Sequence, residues 1–155
     1  MGRAAFAAYD AAPPAFGAGL RRFLKSKRAS AVLPGFSWMK GGCLILADAL
    51  EIWGAGDLRQ GGALGRVRDR VYLDHAFAWI DYEGRRWLID GDGIQDEPVM
   101  RLKLGSRDAS RPVTFRYSPS ARYAVGIGRD RARSEVLTTL LGQRFGPFSA
   151  ALLKR

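Results

Sequence analysis

Gly41-Gly42-Cys43-Leu44-Ile45-Leu46-Ala47-Asp48-Ala49-Leu50 decides how this chain reads. Cys43, Leu46, Ala47 and Leu50 recur at helical spacing, Trp53 or Gly54 continues the stripe, and Leu44 and Ile45 widen it. The spacing predicts a helix over 43–53, stopped by Gly54 and Gly56. Asp48 and Glu51 are its only charged residues, so the helix belongs in the interior. Cys43 falls in its first turn and is the only cysteine of 155 residues.

Upstream, residues 29–42 read as a connector. Pro34-Gly35 marks a turn, Gly41-Gly42 a bend or close approach, and Trp38 a packing residue near the helix. Before it, Phe16, Leu20, Phe23 and Leu24 form one face of a helix over 16–28. Arg21, Arg22, Lys25, Lys27 and Arg28 make its other side basic. Residues 1–15 are rich in Ala and Pro, and Pro13-Pro14 bars a helix there. They read as a partly ordered N-terminal arm that Phe6 and Tyr9 could pin, leaving 16–155 as a single domain.

Downstream, residues 54–65 are Gly-rich with polar insertions and read as a surface loop. From Val67 the period changes to that of strands. Glu83-Gly84 is a hairpin turn between a strand near 71–81 and a second over 86–91. Residues 98–105 read as a short strand or irregular connection, and Val113 to Tyr117 as a strand. Residues 130–142 read as a helix with Val136, Leu137, Leu140 and Leu141 as its stripe. The predicted fold class is α+β, with a central helix carrying Cys43 packed on an antiparallel sheet.

Composition bounds the rest. The chain is 47% hydrophobic and 26% charged, as globular domains are. No apolar run approaches the roughly 18 residues needed to cross a membrane. The first residues lack the basic, apolar and cleavage order of a signal peptide, and one cysteine cannot form an internal disulfide. These features point to the cytoplasm and away from a membrane. Twenty-five Lys and Arg against fifteen Asp and Glu leave a net charge of +10. Such a field attracts nucleic acid or another polyanion. The basic residues are scattered, which is also what the Arg-rich codon usage of a high-GC bacterial or phage genome produces.

The chemistry-bearing residues are few. His75, the only histidine, lies in Asp74-His75-Ala76-Phe77-Ala78-Trp79-Ile80-Asp81, and Asp90 in Trp87-Leu88-Ile89-Asp90-Gly91-Asp92-Gly93. A turn at Glu83-Gly84 brings Ala76 to Ala78 opposite Ile89 to Asp90 or one step beyond. His75 and Asp90 are then within one pair of direct opposition, close enough for cross-strand contact. A thiol becomes a good nucleophile as a thiolate, and a helix N-terminus or an imidazolium lowers its pKa. An Asp that accepts a proton from one ring nitrogen fixes the tautomer. Cys43, His75 and Asp90 therefore form a candidate catalytic set: nucleophile, general base and acid, and orienting carboxylate. Two glycines before Cys43 would let substrate approach and leave backbone N–H groups for an oxyanion. Taken singly, each residue also has a plain structural reading: small core residue, strand histidine, turn aspartate.

Other motifs carry less. Asp90, Asp92, Asp96 and Glu97 cluster, but Ile94 stands where a Ca²⁺ loop needs an oxygen. One Cys and one His do not make a zinc ligand set. No metal and no cofactor is expected. Gly126-Ile127-Gly128 lacks the third glycine and Lys of phosphate loops.

The segment from 36 to 93 resembles the transglutaminase-like branch of the papain-like cysteine-enzyme superfamily. Gly41-Gly42-Cys43 and the Ala47 to Leu50 turn are similar to its Cys at a helix start after small residues. His75-Ala76-Phe77-Ala78-Trp79-Ile80 is similar to its strand His followed by an aromatic, and Gly84, Trp87 and Asp90 to its turn, Trp and Asp. The resemblance implies a papain-like core with a Cys-His-Asp triad working through a thioester. The Cys-to-His segment is more compact here than is usual in the family, and some relatives have lost the triad and serve as binding modules. For the further oxyanion donor that some relatives add, Ser37 and Trp38 are the candidates. The implied activity is a cysteine-dependent hydrolase or acyltransferase on amide or peptide bonds, a peptidase or amidase with a protein or peptide substrate; the net positive charge would suit an acidic protein or a cell-wall polymer. The alternative is a non-catalytic basic module that binds nucleic acid or another polyanion.

Overall fold

The computed structural model describes residues 14–33, 37–38, 41–105, 112–119 and 130–154. The expected arm therefore lies outside the described residues, except Pro14 and Ala15, as does the Gly126 to Gly128 motif.

The first predicted helix is two. Helix α1 spans Ala15–Leu24, and α2 spans Lys27–Ser30. Ser26 separates them: its hydroxyl accepts from the Ala29 N–H and opens a new helix. A Ser that competes for backbone N–H groups favours a cap over a helix interior.

Helix α3 covers Gly42–Gly54, one residue beyond the prediction at each end. Gly41 is its N-cap with φ 82°, a conformation that costs a residue with a Cβ. Gly42 is glycine for space, since a Cβ there would meet the Ser37 carbonyl oxygen at 2.7 Å. Ala55 ends the helix in the left-handed region. Almost every residue of α3 is buried, Asp48 included, whose Oδ1 accepts from Gln60 Nε2 at 2.6 Å.

Five strands follow among the described residues: β1 Arg59–Val67, β2 Arg70–Tyr82, β3 Arg85–Asp90, β4 Gly93–Gln95 and β5 Val113–Arg116. They form one antiparallel sheet in the order β4-β3-β2-β1-β5. Residues Glu83 and Gly84 both have positive φ, as a tight two-residue hairpin needs, and the turn sets Ala78 opposite Ile89. The fold is thus α+β, with α3 against an antiparallel sheet.

The expectation of a surface loop over 54–65 is wrong. Its second half is β1, with Gln60 to Gly65 buried. The glycines there make room for neighbours: a Cβ on Gly61 would sit 2.6 Å from the Phe77 ring, and one on Gly65 2.2 Å from the Tyr72 ring. Residues 98–105 are neither strand nor irregular connection. They belong to helix α4, Glu97–Gly105, where Asp96 Oδ1 accepts from the Val99 N–H. The last helix, α5, spans Arg131–Phe145 and is followed by a short 3-10 helix, Ala150–Lys154.

The sheet buries both faces. Ala78, Ile80, Trp87 and Ile89 face α1, α3 and α5, in a core that runs from Phe16 to Leu153. Phe77, Trp79 and Leu88 alternate to the other face and pack on Met100 and Leu104 of α4. Trp38 is buried as a packing residue and its indole donates to the Leu24 carbonyl at 2.7 Å. Among the described residues no helix is long and apolar enough to cross a membrane.

Candidate active site

Cys43 occupies the first turn of α3, with 8% of its surface exposed. It packs with Ala47 of the same helix and Ala76 of β2, flanked by Leu73. Leu73 and Ala76 are three apart, so a regular strand would send them to opposite faces. A bulge brings them together. His75 pairs with Ala63 and Leu73 with Leu64, so Asp74 is the extra residue. Bulges re-aim side chains in this way. Here it puts Leu73 on the same face as Ala76.

His75 is wholly buried and Asp90 is 1% exposed. The ring Nε2 lies 2.8 Å from Asp90 Oδ2. Asp90 Oδ1 accepts from the Asp92 N–H at 2.9 Å. The other ring nitrogen, Nδ1, is buried and has no hydrogen-bond partner of conventional geometry among the described residues. The thiol of Cys43 nevertheless interacts with the ring, and each group perturbs the other. The structure therefore gathers Cys43, His75 and Asp90: the ring bonds to the carboxylate, and the thiol is close enough to interact with the ring.

The electrostatics follow from that arrangement. Burial pushes the Cys43 thiol up, but the neighbouring His75 ring outweighs it, aided by the backbone N–H groups of Ala76 and Leu44. The thiol ends below its ordinary value. Burial lowers His75, while Asp90 and then Cys43 raise it, and the ring ends above its ordinary value. For Asp90, burial works against ionisation. The His75 hydrogen bond and the Lys103 charge reverse that and hold the carboxyl well below the usual carboxylate range.

Lys103 is the residue that sequence reading missed. It stands on α4, and its Nζ lies 2.5 Å from Asp90 Oδ2, 3.2 Å from Asp92 Oδ2 and 3.2 Å from Gln95 Oε1. Asp90 shares its face of β3 with Leu88, the face toward α4, which is why a residue of that helix reaches it. The start of α4 carried a signal, an N-cap Asp96 followed by Pro98 in the first turn.

The expected oxyanion donors divide. The indole of Trp38 is committed to Leu24, so Trp38 is not a donor to the site. The Gly42 N–H is likewise spent on the Ser37 carbonyl at 3.1 Å. The Cys43 N–H belongs to a helical first turn, where amides have no intrahelical acceptor. Among the described residues no three His, Cys, Asp or Glu side chains gather to hold a metal ion. The acidic cluster is engaged otherwise: Asp96 pairs with Arg85 at 2.6 Å, and Asp90 and Asp92 share Lys103. No family model, curated protein or solved structure matches this chain.

Proposed function

We propose that the protein is a cysteine-dependent hydrolase or acyltransferase acting on amide or peptide bonds. One observation carries this reading: the only cysteine, at a helix start, lies near enough to the only histidine for each to perturb the other, and the ring's Nε2 is held by a buried aspartate. Those are the parts of an activated thiol. The order Cys43, His75, Asp90 on helix, strand and next strand also supports the transglutaminase-like resemblance.

In this reading the Cys43 thiolate attacks the carbonyl carbon and forms a C–S bond. Negative charge collects on the carbonyl oxygen, facing the Cys43 N–H at the positive end of α3. The C–N bond breaks as His75, protonated, gives its proton to the leaving amine. A thioester remains. Water completes hydrolysis, or a second amine completes transfer, with His75 accepting its proton. Asp90 keeps the ring oriented and stabilises its charged form. The basic surface favours an acidic protein or peptide as substrate.

Iodoacetamide alkylation tests this directly, because the protein has one cysteine to modify. The rate followed across pH is expected to inflect below the free thiol value of about 8.5, and His75→Ala is expected to move the inflection up. An unreactive Cys43 in folded protein, or a profile that His75→Ala leaves unchanged, returns the residue to core packing.

A second reading has its own observation. The scattered basic residues gather on one edge: Arg21 and Arg22 of α1, Lys25 at its C-cap, Arg28 of α2 and Arg144 of α5 line two grooves that share Arg22. Asp92 is the one acid among the described residues lining them. On the far face of the sheet, Arg86 is held by Asp81 and Arg101 by Glu97. The α1–α5 edge is where a nucleic-acid backbone would dock if the module binds a polyanion.

A further inference from the structure

We propose that Lys103 is a positioning residue that works through Asp90 to keep His75 able to release its proton. This rests on the thiol-enzyme reading of the site and adds a fourth member to it.

The geometry is that of a shared acceptor. Asp90 Oδ2 takes both His75 Nε2 at 2.8 Å and Lys103 Nζ at 2.5 Å. The two cationic nitrogens are therefore within about 5 Å of each other, a range over which like charges shift each other's titration by one unit or more. An ammonium on the same oxygen draws off part of the carboxylate's negative charge. It also repels the imidazolium directly. Both effects oppose Asp90 and Cys43, which favour the charged ring.

The opposition has a purpose. A ring held between a buried carboxylate and a thiolate would bind its proton too firmly to pass it to a leaving amine. General acids work best when their pKa lies near the working pH. Lys103 restrains Asp90 so that the carboxylate orients the ring without locking the proton on it. The titratable groups facing this cluster are Cys43 from α3, His75 from β2, Asp92 from the β3–β4 turn and Lys103 from α4. Lys103 is the cation among them that does not take part in the proton transfer. It is also mechanically suited: it is 22% exposed, so its charge is solvated at one side, and Asp92 and Gln95 hold it in place.

The test uses the single histidine. The ring of His75 is followed by NMR through a pH titration in the wild type, Lys103→Met, Lys103→Gln and Lys103→Arg. Removing the charge in Lys103→Met is expected to raise the His75 titration by about one pH unit. Lys103→Gln keeps a polar contact without the charge and should move it likewise, which covers a Met variant that fails to fold. Lys103→Arg should restore the wild-type value. Alkylation of Cys43 in the two neutral variants, but not in Lys103→Arg, should shift its inflection upward, since a nearby cation also favours thiolate. A His75 titration unmoved by both neutral variants overturns the role of Lys103, and so does a Gln variant that titrates as the wild type. A wild-type thiol with no inflection below the free value sinks the enzyme reading instead, and leaves the His75 measurement to decide Lys103 on its own.

Discussion

Replacing Asp90 by Asn removes one charge and changes almost no volume. The side chain is 1% exposed and accepts from three donors: His75 Nε2, Lys103 Nζ and the Asp92 N–H. An amide offers one oxygen for these. In either orientation its NH₂ faces at least one donor, so a buried polar clash follows. Breaking a buried ion pair from one side costs about 3–5 kcal/mol. Lys103 is partly solvated and already reaches Asp92 and Gln95, so the expected loss is nearer 2–4 kcal/mol. In a chain of this size that is a fall in Tm of roughly 5–15 °C.

The sign of the pH dependence is fixed by the carboxyl's direction. Asp90 is held well below its unfolded value of about 3.9, so its contribution is complete above that pH and is lost as pH falls toward the folded value. Because Asp90 also raises His75, a linkage of opposite sign, the measurement is made in a His75→Ala background: urea denaturation at pH 7 and pH 3 with and without Asp90→Asn. There the gap opened by Asp90→Asn should be roughly 1 kcal/mol smaller at pH 3 than at pH 7. A gap under about 0.5 kcal/mol at pH 7, which is the size of an ordinary surface change, would refute the account of Asp90 as an ionised anchor. So would a gap that does not narrow with acid.

Two further outcomes test other parts of the structure. Gly61→Ala puts a Cβ 2.6 Å from the Phe77 ring and 2.8 Å from the Arg116 carbonyl oxygen. Overpacking of that kind costs about 1–3 kcal/mol by chemical denaturation, and a neutral substitution would mean that β1 is looser than the structure has it. If the α1–α5 edge binds nucleic acid, affinity for a duplex should fall steeply with added salt, and Arg22→Ala, at the junction of the two grooves, should flatten that slope by about one. Binding that is indifferent to salt removes the second reading.

How far the sequence spoke depended on whether a residue's role leaves a periodic trace. Helix α3 was legible because its stripe is unbroken. The β2–β3 register was legible because Glu83-Gly84 can make one kind of turn, and that placed His75 near Asp90. Strand β1 was hidden because Gly61, Gly62 and Gly65 carry no side chain to alternate. Gly61 and Gly65 make room for the rings of Phe77 and Tyr72, which lie in another strand. The bulge at Asp74 has no local signature, yet it alone lets Leu73 and Ala76 both meet Cys43. Lys103 was one of twenty-five basic residues until α4 laid it on Asp90. Contacts between distant segments decide such roles, and a single chain read along its length does not display them.

The packing of α3 also sets an order of assembly. The strands β1 to β4 form a meander joined by short turns and can pair as soon as Gln95 has been synthesised. Helix α3 precedes them all, but its other flank is closed by α5. Ser134 Oγ donates to the Ile45 carbonyl and Thr138 Oγ1 to that of Ala49, each across 89 residues of chain, and Leu137 and Leu141 seal the same side. During translation α3 thus leaves the ribosome well before the helix that closes this flank, while the strands that hold Cys43 follow it directly. A nascent or truncated chain ending before Arg131 has α3 held on its sheet side alone, with the flank of Ile45 and Ala49 open.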